Sequence, residues 1–302
     1  MRSSAGETGS PLLTASDFSD IKPNRLGTAI PGAEVALLRP RQPNSEANGN
    51  LAKMKGGGIR LGGWLAIPEP LIAEAIGRAG FDWVGIDMQH GAWDLGSAFR
   101  GIQILDLLKV PILVRVTGED LELIPRVLDQ GASGIVLAMA SDPDAVAAAI
   151  DRARYQPEGR RSYGGQRYGM RPEPADVSTI RPAIFAMIEG PEGVKRIAEI
   201  VAIPGLAGIH VGPVDLGLGL GLGFDRAKPA FAAALRAIVD ATHAAGLPVT
   251  MHAVTAAKVS ETIALGFDEL VLTSDIGLVR SAFAAEVAQA RKASAAVRAD
   301  VA

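Results

Sequence analysis

The chain has 302 residues, 48% of them hydrophobic, which is enough to bury a large core in one α/β domain or in two smaller ones. A formal charge of −3 gives no electrostatic footing for nucleic acid or an anionic membrane, and the absence of cysteine excludes disulfides and thiolate metal sites. No apolar run reaches the roughly 18 residues of a membrane span and no apolar signal core opens the chain, so a cytoplasmic protein with no membrane or nucleic-acid partner is expected.

Residues 1–50 carry Pro, Ser, Asn and Gly without sustained periodicity, broken only by a strand-like fragment at 33–38. They are expected to form a poorly ordered N-terminal extension, with the folded domain over 51–302. Met54, just before the regular pattern, is an alternative start.

From Gly62 onward strand-like and helical segments alternate. Strands are expected at 62–67, 83–87, 111–116, 134–138, 184–188, 208–212, 248–252 and 269–274. Helices are expected at 70–79, 97–108, 121–130, 143–154, 191–201, 229–245 and 255–265, with a last one from Ile276. Four of them close on a glycine before the next strand (Gly80, Gly131, Gly246, Gly266), the residue that most easily takes the left-handed turn ending a helix. Eight β and eight α segments predict a (β/α)₈ barrel, whose active site is built on the C-terminal ends of its strands. A doubly wound open sheet is the alternative.

Chemistry-bearing residues gather at those ends. The second strand runs into Asp87 and, three residues on, His90; the third reaches Arg115, the fifth Glu189 and the sixth Asp215. Glu189 and Asp215 follow neighbouring strands, so two carboxylates at one rim could hold a hard cation such as Mg²⁺ or Mn²⁺. Helix capping is the alternative for each, an unconvincing one for Asp215, which precedes an irregular Gly-rich segment. Arg115 ends an apolar strand and needs an anion, either a ligand or a structural partner such as Asp87 or Glu119. His90, on a rim loop, suits proton transfer, and His252, ending the seventh strand, is a second candidate, as ligand or base. His210 reads as packing inside strand six and His243 as helix surface.

Two segments call for restraint. The run Gly217, Gly219, Gly221, Gly223 follows strand six and lacks the context of a dinucleotide fingerprint, so it reads as a flexible loop or subunit contact. The Arg-rich stretch 154–181, with Arg160, Arg161, Arg167 and Arg171, reads as a solvated basic loop. In a barrel it starts opposite the active face, where any catalytic use would serve a neighbouring subunit.

Several motifs in order resemble one family. Gly62-Gly63-Trp64-Leu65, the stretch from Ala79 to His90, Val114-Arg115, Asp129-Gln130-Gly131, Glu158-Gly159-Arg160-Arg161, Ile188-Glu189 and Gly212-Pro213-Val214-Asp215 are similar to the class II, metal-dependent pyruvate aldolases of the HpcH/HpaI type. The resemblance implies a barrel of the phosphoenolpyruvate/pyruvate kind that cleaves or forms a C–C bond between a pyruvate or hydroxypyruvate enolate and an aldehyde. It implies a divalent cation (Mg²⁺, Mn²⁺ or Co²⁺) on Glu189 and Asp215, no organic cofactor, and a homohexamer. Arg115 would stabilise the enolate and His90, paired with Asp129, would move the proton. Trp64 would line the pocket, with Gly212, Pro213, Val214 and Asp215 around the keto acid. Three positions depart from the family pattern: Met187 replaces Gln, Gln89 replaces Glu and Val214 replaces a smaller residue. A CoA-ester lyase of the citrate-lyase β-subunit or malyl-CoA type, and a non-catalytic keto-acid-binding barrel, are the rival readings.

Overall fold

The computed structural model describes residues 58–164, 166–170, 176 and 179–300. The N-terminal extension, its 33–38 fragment and Met54 lie outside the described residues, as does Arg171. Eight parallel strands close into a barrel in sequence order: β1 (Arg60–Leu65), β2 (Trp83–Asp87), β3 (Ile112–Thr117), β4 (Gly134–Ala138), β5 (Ala183–Ile188), β6 (Gly208–Val211), β7 (Val249–Val254) and β8 (Glu269–Leu272). The helices are α1 (Pro70–Arg78), α2 (Leu95–Leu107), α3 (Leu123–Asp129), α4 (Pro143–Ala153), α5 (Gln166–Gly169), α6 (Pro191–Lys195), α7 (Ile197–Val201), α8 (Pro213–Gly219), α9 (Pro229–Ala244), α10 (Val259–Ala264) and α11 (Asp275–Asp300).

Each strand is buried on both faces, which is why the strands read as unbroken apolar runs. On β3, Ile112, Val114 and Val116 face the main core, while Leu113 belongs to a second cluster with Trp64, Trp83, Val136, Phe185, Met187 and Val271. Those inner residues fill the barrel, so its interior is packed and only the rim is open to chemistry. Glycine makes room for the two tryptophans: a Cβ on Gly62 would stand 2.6 Å from the Trp83 ring, and one on Gly85 2.2 Å from the Trp64 ring.

Local signals set the helix starts. Asp94 accepts from the Ser97 N–H at 2.7 Å and the Ser97 hydroxyl accepts from Asp94 N–H at 3.0 Å, a capping box that opens α2 two residues earlier than expected. Asp142 and Pro143 open α4 in the same spirit. Three expectations change. The helix at 191–201 is two, α6 and α7, because Arg196 leaves helical geometry (φ −97°, ψ 12°). The Gly-rich run is not a loop throughout: α8 takes Gly217 and Gly219, and only Gly221 and Gly223 turn left-handed (φ 70° and 60°). The expected helix at 255–265 begins as a 3₁₀ turn at Ala256–Lys258 and then becomes α10.

Candidate active site

One half of the rim is held together by Asp87. This last residue of β2 stands beside Arg115 of β3 in the strand register, so both side chains face the barrel axis. The buried carboxylate accepts from Arg115 Nε at 2.9 Å and Nη2 at 2.5 Å, from Trp64 Nε1 at 3.3 Å, and from the backbone N–H groups of Gln89 and His90 at 3.1 and 3.0 Å. Burial alone would raise the Asp87 carboxyl, but the Arg115 fork and these N–H donors outweigh it and hold the group below its ordinary range. The two readings of Arg115 thus resolve structurally: its ion-pair partner is Asp87.

Arg115 still has donors to offer. Its guanidinium lies over the Trp64 ring at 5.4 Å, and among the described residues Nη1 meets only the Met187 sulfur, at 3.9 Å. A thioether is a weak acceptor, so Nη1 stays available to an anionic ligand. His90 is exposed on the loop after β2, its backbone anchored to Asp87. Gln89 is half-buried beside it.

The other half is acidic and open. Glu189 directly follows β5 and is 4% exposed; one carboxylate oxygen accepts from the Met139 N–H at 2.6 Å. Met139 presents that N–H from a left-handed conformation (φ 53°) at the end of β4, the kind of strain that concentrates at functional sites. The other oxygen, Oε2, lies 2.7 Å from where a Gly212 Cβ would stand, so glycine there leaves the carboxylate its place. Asp215 is exposed in the first turn of α8, after the Gly212 N-cap and a buried Pro213; Val214 is half-buried. It therefore sits inside a helix start, not ahead of an irregular loop. Burial pushes the Glu189 carboxyl up and the Asp215 charge adds to that, while the Met139 N–H, Arg115 and His90 pull the other way. Two neighbouring carboxylates, one of them buried, thus stand at this side of the rim. Their oxygens fit a hard divalent cation that takes its remaining ligands from water and a chelating substrate. Among the described residues no group of three or more His, Cys, Asp or Glu gathers into a closed metal cage.

The floor between the halves is aromatic. His252 of β7 meets the Trp64 ring edge-on at 4.5 Å, and its Nδ1 lies 3.0 Å from Nε2 of the fully buried His210 on β6. Beyond packing, His210 is thus a hydrogen-bond partner. His243 is a surface residue of α9, 3.0 Å from Asp268.

Asp129 is not brought to His90 within the chain. It ends α3 at the opposite end of the barrel, where Arg161 donates to it at 2.6 and 3.2 Å. Arg161 is buried and lies over Tyr155 at 4.4 Å, which corrects the picture of a solvated loop at that residue. Arg160 pairs with Asp151, Arg167 with Asp106 and Arg181 with Glu158. Sequence reasoning missed Asp275, whose carboxylate accepts from the Ala66 and Ile67 N–H groups at 2.8 and 2.9 Å and fixes the rim just past Trp64. Its signal was a lone acid opening the last helix.

The family described as HpcH/HpaI aldolase/citrate lyase matches residues 60–282. A hydroxypyruvate/pyruvate aldolase of Rhizorhabdus wittichii RW1 is 31% identical over 235 residues, covering 76% of this chain and 94% of the relative. A 5-keto-4-deoxy-D-glucarate aldolase of Klebsiella pneumoniae is 29% identical, covering 74% and 89%. Among solved structures, an HpcH/HpaI aldolase/citrate lyase family protein from Burkholderia cenocepacia J2315 superposes with a TM-score of 0.71 at 26% identity, covering 78% of this chain and 96% of that one.

Proposed function

The chain belongs to the HpcH/HpaI aldolase/citrate lyase family, a family of lyases, and from that premise we propose that it is a divalent-metal-dependent aldolase. It would cleave a 4-hydroxy-2-oxo acid to an aldehyde and pyruvate or hydroxypyruvate, and run the reaction in reverse. The single observation that carries this is the division of the rim: a guanidinium fixed by Asp87 on one side, and on the other the buried Glu189 carboxylate, whose acidity burial and the nearby Asp215 weaken.

Glu189 and Asp215 would hold the cation; once bound, it supplies Lewis acidity that lowers the cost of enolisation. The backbone N–H groups that open α8, behind Gly212, offer the keto acid's carboxylate a helix N-terminus. Arg115 meets negative charge developing on the keto oxygen, and because Asp87 holds the guanidinium from behind, little reorganisation is needed. In the cleavage direction His90 takes the proton of the 4-hydroxyl as the C3–C4 bond breaks; in synthesis it returns that proton to the new alkoxide. Trp64 closes the floor, and its indole N–H fixes Asp87. The cleft beside Glu189, between Met139–Ser141 and Gly190–Gly193, leaves room for the aldehyde.

A role for Asp129 needs a second subunit, since Arg161 holds it at the far end of its own barrel. A homo-oligomer, expected as a hexamer, fits the apolar Phe283 and Val287 exposed on α11. Light scattering that finds an active monomer would remove both the assembly and Asp129's part. No described helix is long and apolar enough to cross a membrane.

Exchange of the pyruvate methyl protons with deuterated water, in the absence of aldehyde, tests the core of the proposal. Mg²⁺, Mn²⁺ or Co²⁺ should support it and a chelator should stop it. Exchange that runs unchanged in chelator would overturn the mechanism.

A further inference from the structure

We propose that His252 is a substrate-contacting residue that selects keto-acid donors bearing a hydroxyl on C3, and that His210 is the residue that positions it. The inference rests on the aldolase reading above and narrows its donor.

Three observations single out His252. First, β7 is distorted where it reaches the rim: its register with β8 slips between Met251 and Val254, and Ala253 adopts φ 55°. A bulge re-aims side chains, and a left-handed non-glycine residue is kept only where surrounding structure over-determines it. Second, one ring nitrogen is committed and the other is not. Nδ1 lies 3.0 Å from His210 Nε2, whereas Nε2 has no hydrogen bond to any described residue, and His252 is partly buried above a fully buried His210. Third, the ring packs against Trp64, the indole that also underlies Arg115. That places His252 at the keto-acid end of the pocket. The cleft assigned above to the aldehyde lies at the ends of β4 and β5.

The chemistry follows from the pair. Burial, then the Arg115 charge, push His252 down to about 3, and burial holds His210 well below the usual imidazole range, so both rings are neutral at neutral pH. One proton sits between them. If His210 Nε2–H donates, His252 presents an Nε2–H to the pocket; if His252 donates, it presents a bare nitrogen. A hydroxyl complements either state, as acceptor or as donor, and a methyl group complements neither. A donor with a C3 hydroxyl therefore satisfies a polar atom that pyruvate leaves unmatched, the asymmetry that gives hydrogen-bonding sites their discrimination.

The test compares kcat/KM for proton exchange at C3 of hydroxypyruvate and of pyruvate, with Mn²⁺, in the full-length protein. In His252→Leu the hydroxypyruvate-to-pyruvate ratio should fall about tenfold or more, chiefly through the KM for hydroxypyruvate, and His252→Gln should restore most of it. His210→Leu should lower the ratio by less, with recovery in His210→Gln, as expected of a positioning residue. A ratio within twofold of wild type in His252→Leu would overturn the proposal. A second measurement needs neither a folded variant nor turnover. In ¹⁵N-histidine spectra of the wild-type protein, hydroxypyruvate should move the His252 Nε2 resonance and pyruvate should not; equal responses overturn the assignment. Absence of exchange with both keto acids and every cation would instead defeat the aldolase reading, leaving the spectra to judge His252.

Discussion

The two halves of the rim are built on opposite principles. Along β1 to β3, Trp64, Asp87 and Arg115 satisfy one another: the carboxylate accepts five hydrogen bonds and its acidity is strengthened despite burial. Along β5 and β6, Glu189 has one backbone donor, an acidic neighbour and a weakened acidity. The difference teaches which half is finished by folding and which awaits a ligand. The first half holds its guanidinium still by itself; the second keeps a buried carboxylate on a single backbone donor beside an acidic neighbour, the side on which the proposed cation would sit.

The sharpest break in that contrast is on the unfinished half. Asp215→Ala, or chelation of the wild type, should take pyruvate methyl exchange below detection while leaving the fold intact, because Asp215 is exposed and its side chain makes no hydrogen bond to a described residue. NMR exchange rates read beside circular dichroism separate the two effects. A chelated protein that also unfolds would mean the cation is structural.

The finished half should fail differently. Arg115→Ala leaves Asp87 buried without its counter-ion and should cost about 3–5 kcal/mol of stability, in addition to lost exchange. Urea denaturation measures this. A stability loss under 1 kcal/mol would show that Asp87 is solvated and that the two halves are not so unlike. Arg115→Lys keeps charge but not the fork, and should fall between.

His90 sits on the seam. Its side chain is exposed and its contribution to Asp87 is a backbone N–H, which every substitution except proline keeps. His90→Ala should therefore preserve stability and lower aldol turnover by about 10² to 10⁴. Near-normal turnover would remove it from proton transfer.

The smallest effect is in the pH dependence of stability. His210 and His252 have folded pKa values below the ordinary value of about 6.5. Below that pH the unfolded chain binds protons that the folded chain refuses, so stability contributed by the neutral pair is present at pH 7 and declines as pH falls toward about 3. Asp87, lowered by Arg115, adds a second loss below about pH 4. Glu189 acts with opposite sign, since its raised pKa lets the folded state take a proton first. Melting temperatures should begin to drop near pH 6.5, and His252→Gln should flatten that first decline. A flat profile between pH 7 and 5 would mean the two rings are hydrated.

Much of this was legible in the sequence because a parallel barrel buries both faces of every strand. Its strands therefore read as apolar runs ending in the few polar residues the rim needs, as at Asp87, Glu189 and Gly212 to Asp215. What escaped depended on neighbours distant in the chain. His210 and His252 are 42 residues apart, and only the pairing of β6 with β7 makes them one unit. The Gly-rich run looked like a loop because glycine weakens helices by about 1 kcal/mol apiece, yet Pro213 at the start and a buried Leu216 hold α8 together. The split at Arg196 left no trace because the apolar spacing runs on through it.

The fit of tryptophan to glycine across adjacent strands also dictates the order in which this site could be remodelled. A methyl group at position 85 would stand 2.2 Å from the Trp64 ring, and one at 62 would stand 2.6 Å from Trp83. Neither can be added while the facing indole remains, whereas a smaller ring can be accepted at once, at the cost of a cavity. Any lineage that widened this floor must have shrunk the indole before it filled the groove. Relatives with a side chain at 85 should therefore lack tryptophan at 64, and tryptophan at 64 together with a side chain at 85 should be missing.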